Sequence, residues 1–382
     1  MVLADPRAIL SPVQDTFTAG DTLTMIQRRT LLQSSAAMAL GAPALVGFAQ
    51  QSVTLKFHTF MAPQSNVWLN MNKAWMDKVT KDSEGRIKFE AYPAMQLGGS
   101  PVQLFDQAKD GVVDIVWTLP GNTPGRFPRI EVFELPFMMN NAEATSRAFW
   151  EYTMTMAADE FKDVQPLALQ VHGPGMFHMR DKLIKTAEDL KGSKVRGPTR
   201  QITKMLGYLG ATPVGMPLPQ IPDALSKGVI NGCVIPWEVV PSVKVHELTK
   251  FHSEFDPAGG ALYTTTFITA MNKAKYNSLA PDLRAIIDKN SGMETSAWLG
   301  KVQQSGDIPG REAAVKQGNT IYTIPAAEAQ EFKRKARLVE VEWMQDMDKR
   351  GFNGKKLLDT AKALIEKHGK ATPAKVSTGK KT

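Results

Sequence analysis

The chain has one cysteine, Cys233, among 382 residues. A single thiol excludes an intramolecular disulfide and any cluster of thiolate metal ligands. Its setting in GCVIPWEV is apolar, so it reads as a buried, inert thiol rather than a nucleophile. Histidine is scarce as well, with six residues in all. His172 and His178 stand six apart across a Gly-Pro-Gly break, and His246 and His252 stand six apart with no carboxylate pair at ligand spacing. Neither pair is expected to hold a metal. No G-x-S-x-G, dinucleotide-binding glycine fingerprint or P-loop occurs, and GNTPG at 121–125 and GPG at 173–175 read as turns rather than phosphate cradles. No cofactor is therefore expected. Long apolar runs are missing too. After Ala49 no stretch approaches 18 apolar residues, so the chain beyond it reads as soluble, without a transmembrane segment.

What is present is an ordinary globular composition, 43% hydrophobic and 22% charged. The net charge of +8 gathers towards the C-terminus, at Lys333, Arg334, Lys335, Arg337, Lys349 and Arg350, and in a tail from Lys367 to Lys381. No aromatic residue interleaves with that tail and no nucleic-acid motif accompanies it, which makes it a solvated basic surface. Nucleic acid is not an expected partner.

Residues 25–49 have the make-up of an export signal. Arg28 and Arg29 supply a positive start, Leu31 to Val46 is mostly small and apolar, and Gly47-Phe48-Ala49 offers a cleavage site. The paired arginines followed by Thr30-Leu31-Leu32 match a twin-arginine signal. Gly41, Pro43 and Gly47 break the apolar stretch, which suits a cleaved signal better than a spanning helix. Residues 1–24 have no place in such a signal, and read as a start-site extension or added sequence ahead of a working initiator, Met25. The expected location is the periplasm.

Beyond the signal, strand and helix patterns alternate. Val53–Phe60, Ile87–Tyr92 and Val112–Thr118 read as strands, separated by helices over Asn66–Thr80 and from Pro101 to a stop at Gly111. The middle of the chain repeats the alternation, with strands at Gln165–Val171, Phe177–Met179, around Val195 and Arg196, at Ala211–Val214 and at Val229–Pro236. Helices fall at 200–209 and Pro219–Lys227; a long strand spans Leu262–Asn272 and a long helix begins near Pro325. This is α/β packing in two lobes with a cleft between them, and ligands in such sheets bind beyond the carboxyl ends of strands. His58, Trp117, Thr118, Arg196 and Trp237 all sit at or just beyond such ends. Arg196 is the leading candidate. It ends a strand before Gly197-Pro198-Thr199, where Thr199 can cap the next helix, and a guanidinium grips a carboxylate with two parallel hydrogen bonds. Trp237 could wall a cleft, or serve as a core or interlobe residue; Glu238 reads as a hydrogen-bond acceptor or surface group rather than a catalytic acid.

The segment EDLKGSKVRGPTRQITKMLGYLGATPVGMPLPQIPDALSKGVINGCVIPWE, residues 188–238, resembles the signature region of the DctP family. These are periplasmic solute-binding subunits of tripartite ATP-independent periplasmic (TRAP) transporters. The likeness rests on a DLKG turn, a strand ending in K-x-R, a helix, a G-A-x-P-x-x-M-P segment and a G-x-x-x-G element. It extends over about residues 53–350, through FHTFMAPQS, AMQLGGSPVQLFDQAKDGVVDIVW, FELPFMM and FITAMNKAKYNSL. The resemblance implies that Arg196 holds the ligand carboxylate. It also implies a two-lobed periplasmic-binding-protein fold with hinge strands and a long C-terminal bracing helix. The expected partition is 50–175 for the first part of lobe 1, 176–262 for lobe 2, 263–350 for the return to lobe 1 with the bracing helix, and 351–382 for a C-terminal helix and flexible basic tail.

Two departures from the family pattern bear on the ligand. A second basic residue often stands in the GMFHMR strand, where this chain has Met176, with Arg180 slightly later; and Ile235 precedes Pro236 where many relatives have asparagine. Both changes remove polarity. They favour a carboxylate on an apolar or aromatic body, with His58, Trp117, Phe177 and Trp237 as wall and Glu238 and Arg180 as polar contacts. The expected function is a noncatalytic, monomeric binding subunit that carries a small organic acid, such as an aromatic or branched monocarboxylate, to membrane permease subunits. The alternatives are a C4-dicarboxylate-binding subunit, the binding subunit of a sensory system, or a secreted α/β enzyme acting on small acids.

Overall fold

The computed structural model describes residues 51–371. The expected export signal, residues 25–49, and the expected tail beyond Ala371 lie outside the described residues. Eleven strands follow one another among these: β1 (Val53–Thr59), β2 (Ile87–Tyr92), β3 (Ile115–Thr118), β4 (Val164–Val171), β5 (Gly175–Met179), β6 (Lys194–Gly197), β7 (Thr212–Gly215), β8 (Gly232–Pro236), β9 (Phe251–Phe255), β10 (Thr266–Asn272) and β11 (Thr320–Ile324). They form two sheets, ordered β2-β1-β3-β10-β4 and β11-β9-β5-β8-β6-β7. In the first, β1 is parallel to β2 and β3, while β10 runs antiparallel to β3 and β4. In the second, β6 lies parallel to β7 and β8, and β5 runs antiparallel to β8 and β9. The chain passes between sheets after β4, after β9 and again after β10.

The third passage separates two readings of the same span. Residues 263–350 were expected to return to the first lobe, yet β11 pairs in parallel with β9 at the edge of the second sheet. Neither strand is conspicuous in the sequence, because FHSEF and TIYTI are short and partly exposed, so no clean apolar alternation marks them. The helices Met293–Ser305 and Asp307–Lys316 have no clear apolar stripe either.

Two strand starts fall later than their patterns predict. The amides of Val112 and Val113 donate to the Gln107 carbonyl and close the preceding helix, so β3 begins at Ile115 instead of Val112. At Leu262 and Tyr263 the carbonyls accept from Phe137 and Gly175. Those bonds hold residues 262–265 outside β10, beside the crossover between the sheets. Gly175 is required there: a Cβ would stand 2.1 Å from the Tyr263 ring. The helix expected over 66–80 opens with a π-helical stretch, Val67–Asn72, before continuing as the α-helix Lys73–Asp82.

The helix Ala326–Lys349 buries Phe332, Ala336, Val339, Trp343 and Met347, a single stripe at helical spacing. It ties the lobes together. Phe332 packs on Phe177 and Phe255 of the second sheet, while Trp343 donates its indole N–H to the Pro128 carbonyl, 2.9 Å away. The helix Gly354–Ala371 then packs on the helix Ala142–Met156, which covers β4.

Candidate functional site

A cavity opens between the two sheets. The first sheet contributes Trp117 from β3 and Phe267 from β10; the second contributes Arg196 from β6 and Ile235 from β8. Trp117 and Phe267 stack with ring centroids 4.5 Å apart and planes 13° apart, and Phe60 leans on Trp117 at 5.5 Å. One wall is thus a continuous aromatic surface.

Arg196 faces it in an unusual electrostatic state. Only 2% of the residue is exposed. Its Nε donates to the Met216 carbonyl at 2.9 Å and its Nη1 to the Val234 carbonyl at 3.4 Å. No carboxylate pairs with it among the described residues, and the rest of its N–H donors have no protein acceptor. Burial lowers its pKa from the usual arginine value; Tyr263 and Cys233 oppose that effect, and no aspartate or glutamate does. An uncompensated charge in such a place is costly, so the site is built to receive an anion. Thr199 stands at the N-cap of the helix Arg200–Tyr208 with extended backbone, but its hydroxyl makes no capping bond.

Beside Arg196 lies His172, also on the cavity wall. Burial holds its pKa down to about 4, with the Arg196 charge adding to the effect. Its Nδ1 meets the Gly173 carbonyl and therefore carries the proton, which leaves Nε2 as an acceptor. Tyr263 packs edge-on to this imidazole at 5.5 Å. Further along the wall, Gln303 donates from Nε2 to Glu238 Oε1 at 2.8 Å. Burial pushes the Glu238 carboxyl up to about 7, the Gln303 bond opposing it.

Of the residues singled out from the sequence, Arg196, Trp117 and Glu238 line the cavity. Four do not. His58 is fully buried behind the wall, with Nδ1 2.7 Å from Gln107 Oε1. Phe177 is buried beneath Phe255 and Phe332, away from the cavity. Trp237 turns away from the cavity into a wider crevice lined by Met138, Met139, Met176, Glu254 and Asp307, and its indole N–H donates to Glu254 Oε2 at 2.9 Å. Arg180 lies past the other end of β5 and donates to the Leu225 carbonyl at 2.9 Å. His172, Tyr263, Phe267 and Gln303 were not anticipated. The aromatics of FITAMN and LYTT were a usable signal, since β10 runs beside β3; Gln303 left none.

Cys233, His178 and His252 are buried away from the cavity. Cys233 is buried beneath Arg196 in register, its thiol pushed up to about 12. Asn319 donates to His252 Nε2 at 2.9 Å, which orders a relay through His252 Nδ1–H to His178 Nδ1 at 2.7 Å and from His178 Nε2 to the Ile235 carbonyl at 3.1 Å. Among the described residues there is no group of three or more side chains able to hold a metal, and no helix long and apolar enough to cross a membrane.

The profile of the DctP family, bacterial extracellular solute-binding protein family 7, matches residues 57–345. The chain belongs to that family. It is a periplasmic solute-binding protein of the TRAP type, a transport component and not an enzyme. Among solved structures, it is 76% identical to a TRAP solute-binding protein from Rhodoferax ferrireducens T118, in complex with copurified benzoate, with a TM-score of 0.83 over 84% of this chain and 99% of that one. A marine metagenome TRAP protein specific for aromatic acid ligands, in complex with 3-hydroxybenzoate, is 50% identical, with a TM-score of 0.82 over 83% and 99% of the two chains. A more distant relative is the outer membrane transporter protein TsaT of Comamonas testosteroni, 27% identical over 82% of this chain and 92% of its own length.

Proposed function

We propose that this DctP-family protein captures an aromatic monocarboxylate, with its carboxylate on Arg196 and its ring against Trp117 and Phe267, and delivers it to TRAP permease subunits. The observation that carries the reading is the buried Arg196 guanidinium, without a carboxylate partner, facing a stacked aromatic wall. One full cation suits one carboxylate, and the apolar wall suits a ring or branched body better than a second acidic group. The benzoate and 3-hydroxybenzoate bound by the two relatives support the same class. The wall residues come from both sheets, so a bound acid touches both lobes and favours their closed arrangement by its differential affinity.

Calorimetry on ligand-stripped protein tests the class. Benzoate and related monocarboxylates should bind tightly and succinate weakly; strong succinate binding without a monocarboxylate response would exclude the assignment. Scattering should show compaction on adding the acid that binds, and a single protomer mass. Cleavage after Ala49, through a twin-arginine signal, belongs to the same reading, and intact-mass measurement of the exported protein would reveal a retained leader.

A further inference from the structure

Glu238 and Gln303 bring unused hydrogen-bond acceptors to the cavity, in contrast to the unused donors of Arg196. Glu238 follows β8 in the turn Trp237–Val239, and Gln303 comes from the helix Met293–Ser305. Both line the cavity, and they are only 5% and 1% exposed. The Gln303 amide must turn its NH2 towards Glu238 Oε1, the acceptor 2.8 Å away, and so turns its carbonyl oxygen elsewhere. Glu238 Oε2 and Gln303 Oε1 are then both buried without a hydrogen-bond partner. No lysine or arginine pairs with Glu238 among the described residues. Nearby, Asp307 Oδ1 accepts the Glu238 backbone N–H at 2.9 Å. Two adjacent orphan acceptors are costly to leave empty. With Glu238 ionised, both free oxygens are acceptors, the group that completes them is a donor, and no described side chain supplies it.

Resting on the aromatic-acid reading of this cavity, we propose that Glu238 and Gln303 form a substituent-reading subsite that selects acids carrying a hydroxyl or amino donor on the ring. Arg196 then sets which end of the ligand enters first, and the Glu238–Gln303 pair sets which substituted ring is retained. All three residues line the same cavity. Arg196 is in register with Cys233 of β8, and Glu238 lies five residues further along the same segment. That separation is at most about 17 Å of extended chain, and the arginine side chain shortens the gap that a ligand must span.

Two readouts test the proposal. The first is a ratio of affinities from calorimetry with benzoate, the three hydroxybenzoates and the three methoxybenzoates, the ether retaining the oxygen without its proton. One hydroxybenzoate isomer should bind about 10-fold or more tightly than its methoxy counterpart. The ratio should fall below about 3-fold in Glu238→Leu and in Gln303→Leu; because it is a ratio, general damage to the cavity divides out. The second readout is proton release. A donor to Glu238 favours the ionised carboxylate, so binding of the preferred isomer near pH 7 should release protons from the wild type, with much less release from Glu238→Gln, which preserves the shape if the leucine variants do not fold. Equal hydroxy and methoxy affinities in the wild type, or a ratio and proton release unchanged in the variants, would overturn the subsite. Tight benzoate binding in that case leaves the aromatic-acid reading standing, whereas failure of every aromatic acid to bind removes both.

Discussion

Arg129 and Arg196 are both buried, one in the loop region after β3 and the other at the interlobe cavity. Arg129 donates from Nε to Glu160 at 3.2 Å and from Nη1 to the Met156 carbonyl at 2.9 Å, and its Nη2 lies 2.6 Å from Asp159. Its guanidinium also covers the Phe352 ring at 4.6 Å. Burial opposes its charge, but Asp159 and Glu160 outweigh that and raise its pKa. Arg196 has two carbonyls and no carboxylate. The first arginine completes a network inside the chain, whereas the second leaves one incomplete. Burial of a charge alone therefore says nothing about function; what matters is whether its counter-ion is part of the same chain.

The sharpest way to break this contrast is to remove each guanidinium and measure both stability and affinity. Arg129→Ala should cost about 3–5 kcal/mol in denaturant unfolding, because it strands Glu160 in the interior. Adding Glu160→Gln should recover part of that loss, since the two residues share one network. Arg196→Ala should show the opposite balance. Its stability loss should be the smaller of the two, while calorimetry with benzoate should show binding weakened about 30-fold or more. Arg196→Lys should restore only part, for want of the planar fork. Equal affinity in the wild type and the alanine variant would end the claim that Arg196 anchors the acid.

The aromatic wall should matter less. Phe267→Leu removes the ring stacked on Trp117 and should weaken benzoate binding about 2- to 12-fold, with little change for an aliphatic acid of similar size. The smallest effect concerns protons. Glu238 has a folded pKa of about 7 against an ordinary value of 4.5. Its neutral form is favoured in the fold, so this contribution to stability is complete below about pH 4.5 and is lost as pH rises through 7. Glu238→Gln should therefore gain stability relative to the wild type between those limits in pH-resolved thermal unfolding. A difference that stays flat with pH would mean that the carboxyl is not held neutral by burial.

Some of this was legible in advance for a clear reason. The strand at Ile87–Tyr92 and the stripe of the helix Ala326–Lys349 are local periodic patterns, and both appear where the periodicity places them. Phe177 shows where that logic stops. Its strand was readable, but that Phe255 and Phe332 cover its side chain was not. Tyr263 was hidden by the opposite error, since a continuous strand from Leu262 would have concealed the break held by the Gly175 and Phe137 amides.

The sequence by itself determined the family, the alternation of strand and helix, and the arginine at the end of β6, because each lies in a short span whose spacing carries the information. Only the tertiary structure decided what accompanies that arginine. Residues as distant in the chain as Trp117, His172, Phe267 and Gln303 converge on one cavity because the chain passes repeatedly between two sheets. Whether a buried charge finds its partner within the chain or leaves it to a ligand depends on that convergence, which no local pattern encodes.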